Sequence, residues 1–162
     1  RYMIGDTVIF TSLFPHRIKI SGRTKYFINA FGEEVILENA ESALMSACQL
    51  TGAIVKEYTA GPVYMGDSAR GGHEWMIEFE APPDDPEKFR MELDRKLREV
   101  NSDYEAKRHK DITLQAPKIV TLASGTFYRW MQQRGKLGGQ NKIPRLSNER
   151  KYLDELTDLI TR

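Results

Sequence analysis

The chain has 162 residues, 40% hydrophobic and 10% aromatic, which is enough to bury one core with a smaller unit attached. Its formal net charge of +1 gives no global reason to expect a nucleic acid or an anionic membrane as a partner. A single cysteine, Cys48, excludes an internal disulfide, and no apolar run reaches the roughly 18 residues that a membrane span needs. We expect a soluble, cytoplasmic protein and, because the chain begins at Arg1 in a turn-like stretch, a piece of a longer one.

The first third of the chain predicts a hairpin followed by a helix. Short β-like runs at 7–10 and 17–20 predict two antiparallel strands. Asn39 is a candidate cap for a helix that extends to about residue 51, because small and apolar side chains recur there at helical spacing. Gly52 then ends this helix.

Two strands are predicted next. The runs at 53–59 and 73–80 have strand character, and a long glycine-rich connection at 60–72 separates them. In the second run, apolar side chains alternate with glutamates. The two sets therefore face opposite sides of the strand.

The clearest helix opens at Asp84 or Asp85, either of which can cap it, with Pro86 in the first turn. One apolar stripe continues along it, formed by Phe89, Leu93, Leu97, Val100 and Tyr104. The opposite side carries charges at i, i+4 spacing, which predicts a solvated face. The predicted ion pairs are Glu92 with Lys96 and Asp94 with Arg98.

The last part of the chain predicts a third strand at 117–122, a short helix at 124–134 and a final helix capped by Ser147. Strands and helices in this order predict an α+β fold, in which a small mixed β-sheet is flanked by helices. The hairpin that precedes it is expected to belong, with a hinge, to a larger domain that is missing.

The sequence contains none of the short motifs that identify common enzyme classes. His16, His73 and His109 are far apart and lack the neighbours of a helical metal site, so we predict no zinc. Neither a Gly-x-Ser-x-Gly elbow nor a Walker-type phosphate loop is present. The histidines are interpreted as ordinary surface or core residues.

Four local features remain, and each has a simple structural reading beside a functional one. Gly5-Asp6 could bind a vicinal diol or form a turn, and the basic turn at 22–25 could be a solvated linker. Arg70 lies in a glycine-rich loop that could bind an anion or simply be flexible. The segment at 135–147 carries lysines among three glycines, which predicts cationic groups on a mobile loop.

Together these stretches resemble a known family. "RYMIGD" and "SGRTKYFINAFGEEV" look like consecutive elements of acyl-adenylate-forming enzymes. "VNSDYEAKR" and "GTFYRWMQQRGKLGGQNKIPRL" are similar to stretches of the auxin-responsive promoter family, the acyl acid amido synthetases first described in plants. The resemblance covers nearly the whole chain and matches the C-terminal part of those proteins.

The resemblance implies a two-step ligase that uses ATP with Mg²⁺. A carboxylic acid attacks the α-phosphate of ATP to give an acyl adenylate, and an amine, typically an amino acid, then displaces AMP. In family terms Asp6 would hold the ribose hydroxyls, Arg23 would lie close to the nucleotide, and Lys25 would be the hinge about which the C-terminal domain rotates. An ionised carboxylate suits this role, because it only accepts hydrogen bonds.

The resemblance also assigns a catalytic lysine and the domain boundaries. Lys142 would reach the α-phosphate, and Lys136, in a Gly-Lys pair, is the competing assignment. Residues 1–22 would end the N-terminal adenylation domain, 23–38 would be the hinge and linker, and 39–162 would form the C-terminal lid. Such a fragment would not turn over alone, and its own N-terminal domain is an implied partner.

Two other classes of function compete with the ligase. A non-catalytic α+β interaction or small-ligand module would leave Asp6, Arg23 and Lys142 scattered in space. A nucleic-acid-binding protein could use the cationic segment at 134–145, but the nearly neutral net charge and the glutamates of the strand at 73–80 argue against it. We therefore predict neither a nucleic acid nor a membrane as a partner.

Overall fold

The computed structural model describes residues 6–23, 26–64, 71–111, 113–139 and 141–161. Its elements form the predicted α+β fold. The strands are β1 (Asp6–Leu13), β2 (His16–Arg23), β3 (Phe27–Ile28), β4 (Val35–Ile36), β5 (Ile54–Tyr64), β6 (Gly71–Ala81) and β7 (Lys118–Leu122). The helices are α1 (Leu37–Thr51), α2 (Pro86–Val100), α3 (Ser102–Arg108), α4 (Thr126–Gln133) and α5 (Lys151–Ile160).

The centre of the fold is a mixed three-stranded sheet in the order β5-β6-β7. β6 pairs antiparallel with β5 and parallel with β7. β5 and β6 are longer than predicted, because residues 60–64 and 71–72 of the expected connection are strand. Pro62, which cannot donate to a ladder, is tolerated because β5 is the edge strand of this sheet.

Both faces of the sheet are covered by helices. Trp75 and Ile77 of β6 are fully buried in a first core with α1 and α2. Met76, on the other face, belongs to a second core with α4 and α5. The predicted alternation of side chains between the two faces of β6 is confirmed. Glu74 and Glu78 are buried, however, and do not form an open acidic surface.

The start of α1 differs from the prediction, and its end agrees. The helix begins at Leu37, so Asn39 is its third residue and not its cap. Asn39 Oδ1 instead accepts a hydrogen bond from the Ile36 amide at 3.2 Å. Gly52 ends the helix as predicted, with a φ of +67° that favours glycine.

The long helix predicted from residue 86 to Tyr104 is in fact two helices. Asp85 is the cap, accepting from the amides of Glu87 and Lys88 at 3.0 Å. α2 ends at Val100, and Asn101 adopts an extended conformation whose side chain accepts from the Tyr104 amide at 2.7 Å. The apolar spacing persists across the break, which is why periodicity alone did not detect it.

The predicted i, i+4 ion pairs on α2 are wrong because the partners lie elsewhere. Asp94 is buried and accepts from Tyr104 Oη at 2.8 Å and from Arg108 Nε at 2.7 Å. Glu92 binds Arg95, at 2.7 Å, one residue earlier than Lys96. The guanidinium matches a carboxylate with two donors, which a lysine cannot do.

The two C-terminal helices are confirmed, with a correction at the last one. The predicted inward residues of α4, Phe127, Trp130 and Met131, are all buried. Ser147 does not cap α5, which begins at Lys151. Its hydroxyl accepts a hydrogen bond from the Glu149 amide at 3.1 Å, so it closes a local turn.

The β1–β2 hairpin is confirmed, and its apolar side chains are open to solvent. Val8 lies opposite Ile20 and Phe10 opposite Ile18, so these four form one stripe. Phe10 is 58% exposed and Phe14, at the tip, 94% exposed. Among the described residues, no helix has the length and apolar character required to cross a membrane.

Candidate functional site

The candidate site is built around residues 135–146, here called the lysine loop. Its first end is fixed to α4 by a left-handed glycine. Gly135 has a φ of +63°, and its amide donates to Gln132 O at 2.9 Å while the Lys136 amide donates to Met131 O at 2.9 Å. These two bonds are the Schellman motif, which satisfies the last carbonyls of a helix.

Arg134 strengthens this first anchor by joining α4 to α5. Its guanidinium lies 4.7 Å from the ring centroid of Trp130 and 4.9 Å from that of Tyr152. Glu155 Oε2 lies 3.3 Å from Arg134 Nε and accepts from Trp130 Nε1 at 2.9 Å. Arg134 and Glu155 therefore hold the C-terminal end of α4 against α5.

The second end of the lysine loop is bound to the outer edge of β5. The Ala60 amide donates to Arg145 O at 2.9 Å, and the Ser147 amide donates to Ala60 O at 3.0 Å. Thr59 Oγ1 donates to Pro144 O at 2.7 Å. Residues 144–147 thus lie parallel to β5 and extend the sheet by one short segment.

The Arg145 side chain ties this segment to α1. Its Nη1 donates to Glu41 Oε1 at 2.6 Å, and its guanidinium lies 5.3 Å from the ring centroid of Tyr58. Burial raises the pKa of the Tyr58 phenol, so this ring remains neutral beneath the cation. The Arg145 guanidinium is therefore already paired within this domain.

Between the two anchors, both predicted lysines are free. Lys136 and Lys142 are exposed, and neither side chain makes a hydrogen bond or ion pair with any described residue. Lys142 is followed by Ile143, which packs against the second core. The backbone next to Lys142 is therefore fixed by packing, whereas the Lys142 ammonium group is not. An uncompensated cation in this position can bind an anion such as a phosphate.

The other predicted site residues lie on the hairpin or beyond the described residues. The backbones of Asp6 and Arg23 are directly opposite each other at the open end of the hairpin, so the structure brings these two positions together. Among the described residues, no hydrogen bond or ion pair joins the hairpin to the lysine loop. Lys25 and Arg70 are outside the described residues.

Residues 26–36, here called the entry turn, lie directly after the expected hinge residue Lys25, within the expected hinge and linker at 23–38. They include a buried contact between a glutamate and a histidine that the sequence did not indicate. His73 Nε2 lies 2.8 Å from Glu33 Oε1, and both side chains are fully buried. Burial raises the pKa of Glu33, but His73 and the Phe31 amide outweigh it, so the net pKa lies below its ordinary value. His73 is thus a core residue, and the described part of the chain holds no cluster of three potential metal ligands.

Comparison with known proteins assigns this chain to a family. The GH3 family C-terminal domain matches residues 38–151, more than half of the chain. Among solved structures, "GH3.15 acyl acid amido synthetase" is similar with a TM-score of 0.72, and "AtGH3.15 acyl acid amido synthetase in complex with 2,4-DB" with 0.70. A comparison with curated proteins finds no match.

The structural matches show the extent of the shared fold. Each is 17% identical in sequence and covers 96% of this chain but only 29% of the other protein. The chain therefore spans less than a third of the length of those synthetases. It belongs to the GH3 family, the amido synthetase family that its motifs resemble, and residues 38–151 are the C-terminal domain of that family.

Proposed function

We propose that this chain is the C-terminal lid of a cytoplasmic ATP-dependent ligase that joins a carboxylic acid to an amine, in particular an amino acid. In the first step a carboxylate oxygen attacks the α-phosphorus of ATP and pyrophosphate leaves. In the second step the amine nitrogen attacks the acyl carbon, AMP leaves and the amine loses a proton. Family membership and the similarity to acyl acid amido synthetases support this reaction class.

The observation that carries the proposal is the free ammonium group of Lys142 on a loop fixed at both ends. Negative charge accumulates on the phosphate oxygens as pyrophosphate leaves, and a positioned cation stabilises it. Removing one such group lowers kcat by about 10²–10³-fold. Lys136 is equally free and exposed, so it remains the competing assignment.

The hairpin supports the presence of an N-terminal domain as partner. A two-stranded ribbon with an exposed apolar stripe is marginal in water without a further layer of structure. Val8, Phe10, Ile18 and Ile20 form that stripe, and the similar synthetases are more than three times as long as this chain. We infer that Asp6 and Arg23 bind the nucleotide from that side and that Lys25 is the hinge.

ATP would arrive with Mg²⁺, which mostly binds phosphate oxygens and one or two carboxylates. The described residues offer no group of three or more metal-ligating side chains. The exposed lysines suit the phosphate chain itself, since they have no carboxylate partner of their own. We therefore infer that this lid binds phosphate oxygens while the metal is held by the nucleotide and by the rest of the protein.

The test is ATP–pyrophosphate exchange by the full-length parent protein with a panel of carboxylic acids. We expect one class of acid to support exchange, Lys142→Ala to reduce it about 10²–10³-fold and Lys136→Ala to leave most of it. Loss in the Lys136 variant alone would transfer the role to that residue. If the wild type does not bind ATP, the ligase proposal is wrong and the chain is a non-catalytic module.

A further inference from the structure

A hydrogen bond between distant parts of the sequence joins the entry turn to Asn148, two residues beyond the lysine loop. The Asn29 amide donates to Asn148 Oδ1 at 2.7 Å, across 119 positions of the chain. Asn29 Oδ1 in turn accepts from the Glu34 amide at 3.3 Å, which closes the entry turn. Asn148 thus binds the backbone at Asn29, shortly after the expected hinge residue Lys25.

The entry turn itself is firmly part of the domain. Ile28 and Val35 are fully buried in the first core, and Glu33 is held by His73. Asn101 Nδ2 donates to Glu34 O at 3.2 Å, which adds a tie to the junction between α2 and α3. Because the first core holds it, the turn offers Asn148 a fixed point.

On the other side, Asn148 directly follows the segment that is bound to β5. A methyl group on Gly61 would lie 3.4 Å from Ser147 O and 3.3 Å from Glu149 O. The backbone on both sides of Asn148 is therefore packed closely against β5. From Asn148 the chain leads back through residues 144–147 to Lys142. The second anchor of the lysine loop is therefore in direct contact with the entry turn.

We propose that Asn148 is a positioning residue that couples the hinge to the lysine loop. In this proposal, which rests on the proposed function, rotation about the hinge moves the entry turn, and the Asn29–Asn148 bond fixes where Lys142 arrives. Asn148 touches no substrate and acts only through Lys142. Without its side chain the domain still rotates, but the lysine is less well placed against the α-phosphate.

The first test measures ATP–pyrophosphate exchange in the full-length protein. Asn148→Ala is expected to lower kcat about fivefold, the equivalent of one hydrogen bond, with the KM for ATP unchanged. Asn148→Asp retains the acceptor oxygen and is expected to restore the rate. Ser147→Ala, which loses only the local bond from the Glu149 amide, is the matched control and is expected to stay within twofold of wild type.

The second test needs no substrate, so it separates this proposal from the proposed function. Hydrogen exchange in Asn148→Ala is expected to be faster at the Asn29 amide and also at the amides of 137–142, whereas Ser147→Ala changes neither. If only Asn29 exchanges faster, or if the two variants behave alike in both assays, the coupling is wrong. If no acid supports exchange in the wild type, the proposed function fails and the amide rates alone decide the coupling.

Discussion

Glu78 gives the sharpest test of how α4, the helix that leads into the lysine loop, is capped at its N-terminal end. α4 starts after Gly125, which has no side chain to cap it, and Glu78 of β6 supplies the missing acceptor. Its Oε1 accepts from the Gly125 amide at 2.8 Å and its Oε2 from the Phe127 amide at 3.2 Å. Lys56 Nζ lies 2.8 Å from Oε1. Glu78→Ala removes all three contacts.

The expected loss follows from the burial of these groups. The Glu78 side chain is 2% exposed, whereas that of Lys56 is 50% exposed, so the amides lose an acceptor that water cannot easily replace. A buried donor left without a partner costs about 1–3 kcal/mol. With two amides affected, we expect Glu78→Ala to reduce the free energy of unfolding by about 3 kcal/mol, and Glu78→Gln by less, because one acceptor oxygen remains.

Urea denaturation followed by circular dichroism measures this loss. Lys56→Ala is the matched control, since it removes the solvent-screened partner and leaves the helix cap intact, and it is expected to change the free energy of unfolding only slightly. If Glu78→Ala and Lys56→Ala destabilise the protein equally, Glu78 acts through its ion pair and the capping argument is refuted.

The pH dependence gives a second check on Glu78. Burial raises the pKa of its carboxyl, but Lys56 and the amides of Gly125 and Phe127 outweigh this, so the net pKa lies below the ordinary 4.5. Because the unfolded chain binds the proton more tightly, this stability is complete above pH 4.5 and is lost as the pH falls through the folded value. The difference between wild type and Glu78→Gln is expected to shrink over that acid range.

Two further predictions concern the entry turn. Gly71→Ala would place a methyl group 1.9 Å from Phe31 Cζ, so we expect thermal denaturation to show a loss of about 1–3 kcal/mol, whereas the nearest atom to a methyl on Gly72 is 3.5 Å away and Gly72→Ala serves as the tolerated control. Equal effects of the two substitutions would contradict the close approach. Glu33→Ala leaves His73 buried without its partner, and urea denaturation is expected to show a loss of about 3 kcal/mol at pH 7. Because the folded pKa of Glu33 is lowered from 4.5, this difference is expected to diminish in acid, and a constant difference would exclude the ionised Glu33 carboxylate as its cause.

Elements with strong local signals were predictable from the sequence. The hairpin, β7 and the start of α2 at Asp85 and Pro86 are defined by turn chemistry, strand propensity and capping within a few residues. The alternation of apolar and acidic residues on β6 likewise predicted two faces. These signals act over short distances, so no knowledge of the tertiary structure was needed to use them.

Where the prediction was wrong, a distant partner decides the outcome. Asp94 matches the i, i+4 pattern of a surface ion pair, yet Arg108 and Tyr104 bury it. Glu78 looks like a solvent-facing residue of an alternating strand, but α4 covers it and uses its charge. No local pattern distinguishes such a carboxylate from an exposed one.

In the candidate site, too, some residues were predictable from local motifs and others were not. Lys136 and Lys142 were found from motifs, and the hairpin places the backbones of Asp6 and Arg23 together. The assigned roles of all four, and of Lys25, stay predictions. Asn148 gave no signal, because the hydrogen bond that its side chain makes with the described residues comes from a backbone amide 119 positions away. A site held by backbone contacts of high sequence separation is invisible until the fold is known.

The glycines of the lysine loop adopt backbone conformations that favour glycine, in addition to the mobility that the sequence predicts. Gly138 and Gly139 have φ values of +76° and +64°, with no neighbouring atom within 4 Å of where a side chain would begin. These are conformations that other residues adopt only at a cost, so the glycines define a turn and do not merely loosen the chain. The described residues of the loop are thus anchored at both ends and carry the free ammonium groups of Lys136 and Lys142.

The two anchors of the lysine loop bear on what must move in the proposed reaction. If the loop were unanchored and flexible, each lysine could reach the α-phosphate by motion of the loop alone. The position of the domain would then have little effect on where the lysine lies. Because the loop is anchored at Gly135 and Arg145, the proposed reaction would bring Lys142 to the nucleotide mainly by rotation of the whole domain. Entry into and withdrawal from the nucleotide then depend on the hinge, which is why the bond between Asn29 and Asn148 would matter to catalysis.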